Sequence, residues 1–162
     1  MASLSEHYER MRREFPNDEL CIVFDIDGTI LDLRYLVAYV LLAYDRSRGT
    51  HGFSGLVADD IKHHEDDIDQ LLESLEVQSA DRREVAEFYR THLWDREAIL
   101  AASKPYEGVF GVIRWFQLQE HTHVALNTGR SHHRREDTLE SLNTIGAAYR
   151  VRFEPQLLFT TA

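Results

Sequence analysis

Asp25 and Asp27 stand two positions apart in the segment Leu20 to Thr29 (LCIVFDIDGT), where an apolar run gives way to a Gly-Thr turn. Two adjacent carboxylates repel one another unless a cation or a hydrogen-bond network compensates. A structural turn needs only one acid. The second therefore points to chemistry in which one carboxylate attacks or holds a metal while its neighbour moves protons. A further polar group, Thr128-Gly129-Arg130, follows the short apolar segment His123 to Asn127 (HVALN). A threonine hydroxyl, the backbone N–H groups of Gly129 and Arg130, and the start of a following helix make an anion site. Arg130 either forks onto phosphate oxygens or pairs with an acid at the surface.

Positioning these groups falls to the elements around them. Leu20 to Phe24 lack polar alternation, which predicts a strand buried on both faces, with Asp25 at its carboxyl end. Open α/β sheets bind ligands at that end. Period two sends Asp25 and Asp27 to the same side, and Gly28 lets the backbone turn and approach a ligand closely. A second strand at His123 to Asn127, parallel to the first and beside it, would bring Thr128 to the same rim. A third buried strand begins at Leu157 to Thr161. The intervening pattern of strand, helix, strand, helix, strand is that of an α/β parallel sheet.

The helical readings are as follows. Tyr8, Met11 and Phe15 share one face of a leading helix that Pro16, Asn17 and Asp18 break. Leu33, Leu36, Val37, Val40, Leu41 and Tyr44 fall at helical spacing up to about Gly49. A second helix is predicted over about 57–75. A third, capped by Ser79, puts Val85, Phe88, Tyr89, Leu93 and Trp94 inward. Residues 33–103 therefore read as an all-helical insertion mounted just past the aspartate turn, with 1–32 and 104–162 as the α/β core. Pro105 opens the helix bearing Val109, Val112, Ile113 and Phe116. Ser131 caps a helix that ends near Ile145, with Gly146 as its stop.

Composition sets the outer bounds. The chain has 162 residues, 43% hydrophobic and 28% charged, an ordinary balance for a globular protein. Its net charge of −10 argues against unspecific nucleic-acid binding and against anionic membranes, so any phosphate has to be held by local contacts. Cys21 is the single cysteine. It is expected to be a small buried hydrophobe, in keeping with a cytoplasmic location. The N-terminus has no secretory apolar core, and the apolar stretch 33–44 is too short to span a bilayer. The run His63 to Asp67 reads as a solvated polar face rather than a metal site. His132 and His133 read as surface residues, and Trp94, Trp115 and Tyr149 as core.

At these residues the chain resembles the haloacid dehalogenase (HAD) superfamily, chiefly phosphatases and phosphotransferases. Asp25-Ile26-Asp27-Gly28-Thr29 matches its first motif, DxDGT, and Thr128 in LNTGR its second, a Ser or Thr ending the next core strand. The helical insertion matches a cap of the C1 type in position and character. The resemblance implies that Asp25 attacks phosphorus to form an aspartyl-phosphate, and that Asp27 protonates the leaving oxygen and then deprotonates water. It implies Mg²⁺ held by the Asp25 carboxylate and the Asp27 carbonyl, with Thr128 and the amides of Gly28 and Gly129 on the phosphate, next to which Arg130 is the further candidate for phosphate binding. The second acid favours phosphoryl transfer over dehalogenation, because a halide leaving group needs no proton. The expected substrate is a small phosphorylated metabolite.

The sequence stops inside the third strand, ahead of the lysine and the later acids of the family's remaining motifs. Lys62 and Lys104 are its only lysines, and neither fits the missing position. The expectation is therefore the front portion of a HAD-like protein, with little activity alone and an uncovered apolar edge at Leu20 to Phe24 through which copies associate. Two other functions fit the same residues: a non-catalytic binding or assembly module, and a phosphotransferase or mutase working through the same aspartyl-phosphate.

Overall fold

In the computed structural model, which describes residues 3–161, three strands form one parallel sheet in the order β1-β2-β3. They are β1 (Leu20–Asp25), β2 (Thr122–Ser131) and β3 (Leu158–Thr161). Seven α-helices accompany them among the described residues: α1 (Leu4–Glu14), α2 (Arg34–Arg48), α3 (Ile68–Ser74), α4 (Ser79–His92), α5 (Arg96–Ala102), α6 (Val109–Gln117) and α7 (Arg135–Ala147). The fold is α/β. Register sets Asp25 opposite Asn127 and Thr128 opposite Thr160, so the carboxyl ends of all three strands meet at one rim.

Apolar side chains segregate into two separate clusters. One holds Ile26, Ile30, Phe110, Ile113, Phe116, Val124, Leu126, Leu142 and Leu158, and lies between the sheet and α1, α6 and α7. The other is built wholly from 33–102, with Leu36, Leu41, Leu72, Val85 and Tyr89 at its centre. No strand occurs among the described residues between β1 and β2, because their apolar positions repeat at helical spacing.

Several expectations need correction. β1 is not buried on both faces. Leu20, Ile22 and Phe24 pack inward while Cys21, Val23 and Asp25 are exposed, Val23 to 56%. Phe159 of β3 is 51% exposed on the same side. The cause is one-sided packing: the helices that cover the sheet share a single face, and β1 is an edge strand. Cys21, expected inside, is therefore open to solvent. The stretch 57–75 is not one helix. A 3-10 turn (Ala58–Asp60) and a loop precede α3, because the run of charges at 62–67 offers no apolar stripe to bury. Pro105 does not open α6; its position pairs with Leu31, and the helix starts after Gly108, whose φ is +80°. Ser131 makes no side-chain cap, and Gly146 lies inside α7, packed on the Val151 carbonyl. Trp115 and Tyr149 are 39% and 48% exposed rather than core.

Just past the aspartate turn, Asp32 anchors the start of α2. Its buried carboxylate accepts the Arg34 backbone N–H at 3.1 Å and both Nε and Nη2 of the same guanidinium, at 2.9 and 2.6 Å. The Arg34 hydrogen bonds hold its pKa below the ordinary 3.8. A depressed carboxylate stabilises the fold above that value, and the contribution is lost as pH falls through the folded pKa. Asp32→Asn is therefore expected to destabilise by about 1–2 kcal/mol near neutral pH. The gap to wild type should close below pH 3.8. Urea unfolding at neutral and acidic pH measures it; a gap independent of pH would show that the carboxylate's charge contributes nothing.

Candidate functional site

β1 ends at Asp25, and the chain turns at once: the Ile26 carbonyl accepts the amides of Ile30 and Leu31, both at 2.9 Å, and Gly28 takes φ +77°. That loop brings Asp27 inward while Asp25 stays exposed, its Oδ2 accepting from the Thr29 hydroxyl at 3.2 Å. Across the rim, period two on β2 puts Thr128 and Arg130 on the covered face, where both are buried. The Thr128 hydroxyl donates to Asp27 Oδ2 at 3.0 Å and accepts the Arg130 backbone N–H at 3.1 Å.

The strongest interaction at the rim is one that the sequence reading leaves between two alternatives. Arg130 forks onto Asp27, with Nε to Oδ2 at 2.9 Å and Nη2 to Oδ1 at 2.6 Å. Its third nitrogen, Nη1, donates to the Thr138 hydroxyl of α7 at 3.1 Å, and its Cζ lies 4.7 Å from the Trp94 ring centroid. The guanidinium side chain is 1% exposed, so this is a buried ion pair rather than a surface one. A planar fork on a carboxylate with an aromatic on its face is the geometry arginine provides and lysine cannot. Strand alternation places Arg130 beside Thr128 on β2, but the expectation that it sends Asp25 and Asp27 to one side does not hold, because β1 ends at Asp25 and the turn carries Asp27 inward while Asp25 stays exposed. Nothing in the sequence pointed to Thr138 or to Trp94 at the site.

Other predicted positions are placed as follows. The Gly28 amide is taken by the Leu31 carbonyl at 2.9 Å, and the Gly129 carbonyl accepts the Thr161 hydroxyl at 2.8 Å. His132 Nδ1 lies 3.3 Å from the Thr160 hydroxyl. Within the run 63–67, His64, Glu65 and Asp66 form a close group, with ligand atoms within 4.8 Å of one another. Lys104 stacks its ammonium 4.2 Å from the Tyr35 ring centroid. No described helix is long and apolar enough to cross a membrane.

The donor set suits a hard divalent cation. Among the described residues no hydrogen bond takes the Asp27 carbonyl oxygen, and the exposed Asp25 carboxylate has only Thr29 as partner. Oxygen donors of this kind, completed by water, are what Mg²⁺ prefers. The Asp27 side chain is already fully engaged, so its contribution would come through the backbone.

No protein-family model matches the chain, and no curated protein matches it. Among solved structures it is similar to a HAD family hydrolase from Deinococcus radiodurans R1 with bound phosphate and sodium. That alignment has 16% identity and a TM-score of 0.49, and covers 88% of this chain and 58% of the other. A HAD hydrolase of family IA, variant 3, from Entamoeba histolytica HM-1:IMSS aligns at 16% identity and a TM-score of 0.45, over 88% and 61%. A haloacid dehalogenase-like protein of unknown function from Agrobacterium tumefaciens str. C58 aligns at 17% and 0.40, over 89% and 59%. The chain spans about three fifths of the length of these structures. The likeness is distant, and the chain's own geometry has to carry the chemistry.

Proposed function

We propose that this chain carries the nucleophile half of a HAD-like, Mg²⁺-dependent phosphohydrolase site, acting on a small phosphorylated metabolite. The observation behind the reading is that Asp25 ends β1 opposite Asn127, two residues before Asp27, whose carboxylate accepts the Thr128 hydroxyl at 3.0 Å. We assign 1–32 and 104–162 to the core and 33–103 to a cap over that rim.

In this reading an Asp25 oxygen attacks phosphorus, and the bond from phosphorus to the leaving oxygen breaks. Asp27 gives that oxygen a proton, then takes one from the water that opens the aspartyl-phosphate and frees Asp25. Asp27 accepts three hydrogen bonds from Thr128 and Arg130. One of its oxygens must therefore exchange Arg130 for the substrate before a proton can move. Arg130 accordingly serves to hold Asp27, and phosphate oxygens fall to the Thr128 hydroxyl once it turns from Asp27 and to the backbone at Gly129, the Gly28 amide being held by the Leu31 carbonyl. Bound Mg²⁺ would supply charge neutralisation between Asp25 and the phosphate.

A second reading has its own support. Parallel sheets are found almost only with both faces covered. Here Cys21, Val23 and Phe159 lie bare on one face. An assembly module that docks through that face, with copies of itself or with further chain, uses the same fold. Phosphate release from small monoesters, with and without Mg²⁺, tests both when the mass in solution is followed by light scattering. Mg²⁺-linked turnover supports the hydrolase; stable dimers without it support assembly.

A further inference from the structure

A cavity of about 430 Å³ lies beside residues 103–104, between α2, the segment 56–58 and the end of α5. That volume falls within the about 300–1,000 Å³ of small-molecule sites. Asp25, Asp27, Thr128 and Arg130 do not line it, so it is separate from the rim. Ala38, Leu42 and Leu56 give it an apolar wall, with Tyr35 and Tyr39 beside them. Two adjacent residues, Ser103 and Lys104, add polar groups to the lining. Ser103 Oγ is the one buried side-chain polar atom without a hydrogen-bond partner among the described residues. Such an atom is costly, and its presence calls for a partner. The Lys104 ammonium rests 4.2 Å from the centroid of the Tyr35 ring, itself part of the cavity wall, and no acid pairs with it among the described ion pairs. Asp32, whose backbone N–H bonds the Lys104 carbonyl at 2.8 Å, has its carboxylate taken up by Arg34. The end of α5 brings about half an elementary negative charge at most, against a full positive one on Lys104. At Tyr39 the charges cancel: its hydroxyl donates to Glu97 at 3.0 Å, and the Arg46 Cζ lies 5.3 Å from its ring centroid. One cation, one hydroxyl and an apolar wall suit a ligand with a singly charged, two-oxygen head and a neutral body. A phosphate dianion would leave half its charge unmatched.

We propose that this cavity binds small monocarboxylic acids with an apolar body, the carboxylate shared between the Lys104 ammonium and the Ser103 hydroxyl and the body lying along Ala38, Leu42 and Leu56. A serine hydroxyl turns about a single bond, so it meets such a head without moving the backbone. The site takes no part in the chemistry at the rim.

Three probes with one body and different heads test it: 3-phenylpropionate, 3-phenylpropan-1-ol and 3-phenylpropylamine, titrated into the full chain and followed by backbone amide NMR shifts. The acid should bind about 10-fold more tightly than the alcohol, and the amine most weakly. The shifts should cluster at 35–42, 56–58 and 101–104. Lys104→Gln should abolish the preference for acid over alcohol. Lys62→Gln, which removes the other lysine from a different cavity, should keep it. Ser103→Ala should fold at least as stably as wild type, because it loses no hydrogen bond, and should bind the acid severalfold more weakly. Ala101→Phe, which fills the cavity from an exposed position, should weaken all three probes. Equal affinity for acid and alcohol, unchanged acid binding in Lys104→Gln or Ser103→Ala, an equal loss in Lys62→Gln, or shifts centred elsewhere would overturn the proposal. None of these readouts needs turnover, so the result stands or falls apart from the hydrolase reading.

Discussion

Asp27→Ala is expected to destabilise the protein by about 3–5 kcal/mol, and Arg130→Met by markedly less. The asymmetry follows from where each charge sits. The Arg130 side chain is 1% exposed, against 14% for Asp27. Removing the carboxylate strands a guanidinium that water cannot reach, with only Thr138 and the Trp94 ring left to it. Removing the guanidinium leaves Asp27 at the rim, still bonded to Thr128 and with some access to water. Methionine also replaces the apolar stem of the arginine. The double variant should recover most of the Asp27→Ala loss, because an absent pair leaves nothing uncompensated. Urea unfolding of the four proteins measures the cycle. If Asp27→Ala unfolds no more easily than Arg130→Met, the pair is not the buried lock described here.

Asp25→Asn is expected to behave in the opposite way, with stability close to wild type and a loss of turnover on the order of 10^4-fold. Its side chain is exposed and its described partner is the Thr29 hydroxyl, which asparagine can also engage. No buried charge loses its counter-ion. The amide cannot attack phosphorus, and as a neutral ligand it also weakens any cation shared with phosphate. Thermal unfolding and phosphate release on the same preparation separate the two effects. A variant that loses stability and keeps its rate would mean that Asp25 is a structural residue.

These two aspartates show what a sequence does and does not reveal. The rim was legible because it rests on short-range rules: an apolar run that ends in acids, a glycine turn, and a threonine at the end of the next strand. The parallel alternation of elements was legible for the same reason. What stayed hidden depended on partners distant in sequence. Whether β1 is covered on one face or two is decided by which helices pack on it, and Leu20 to Phe24 read alike in either case. Cys21 was misplaced with it. Arg130 could face phosphate or acid, and only the fold brings Asp27 within 2.6 Å of it. Trp94 reads as core by its helical spacing, yet its ring covers the guanidinium. Helix boundaries slipped where charge overrode an apparent period, as in the loop before α3 that carries Glu65.

The most direct test is peptide mapping of the protein quenched in acid during steady hydrolysis of a phosphate monoester with Mg²⁺. The proposed chemistry places a phosphoryl group on the Asp25 carboxylate, in the peptide that spans the DIDGT turn, and none there in Asp25→Asn. Turnover that proceeds with no adduct on that peptide, and at full rate in Asp25→Asn, would contradict it.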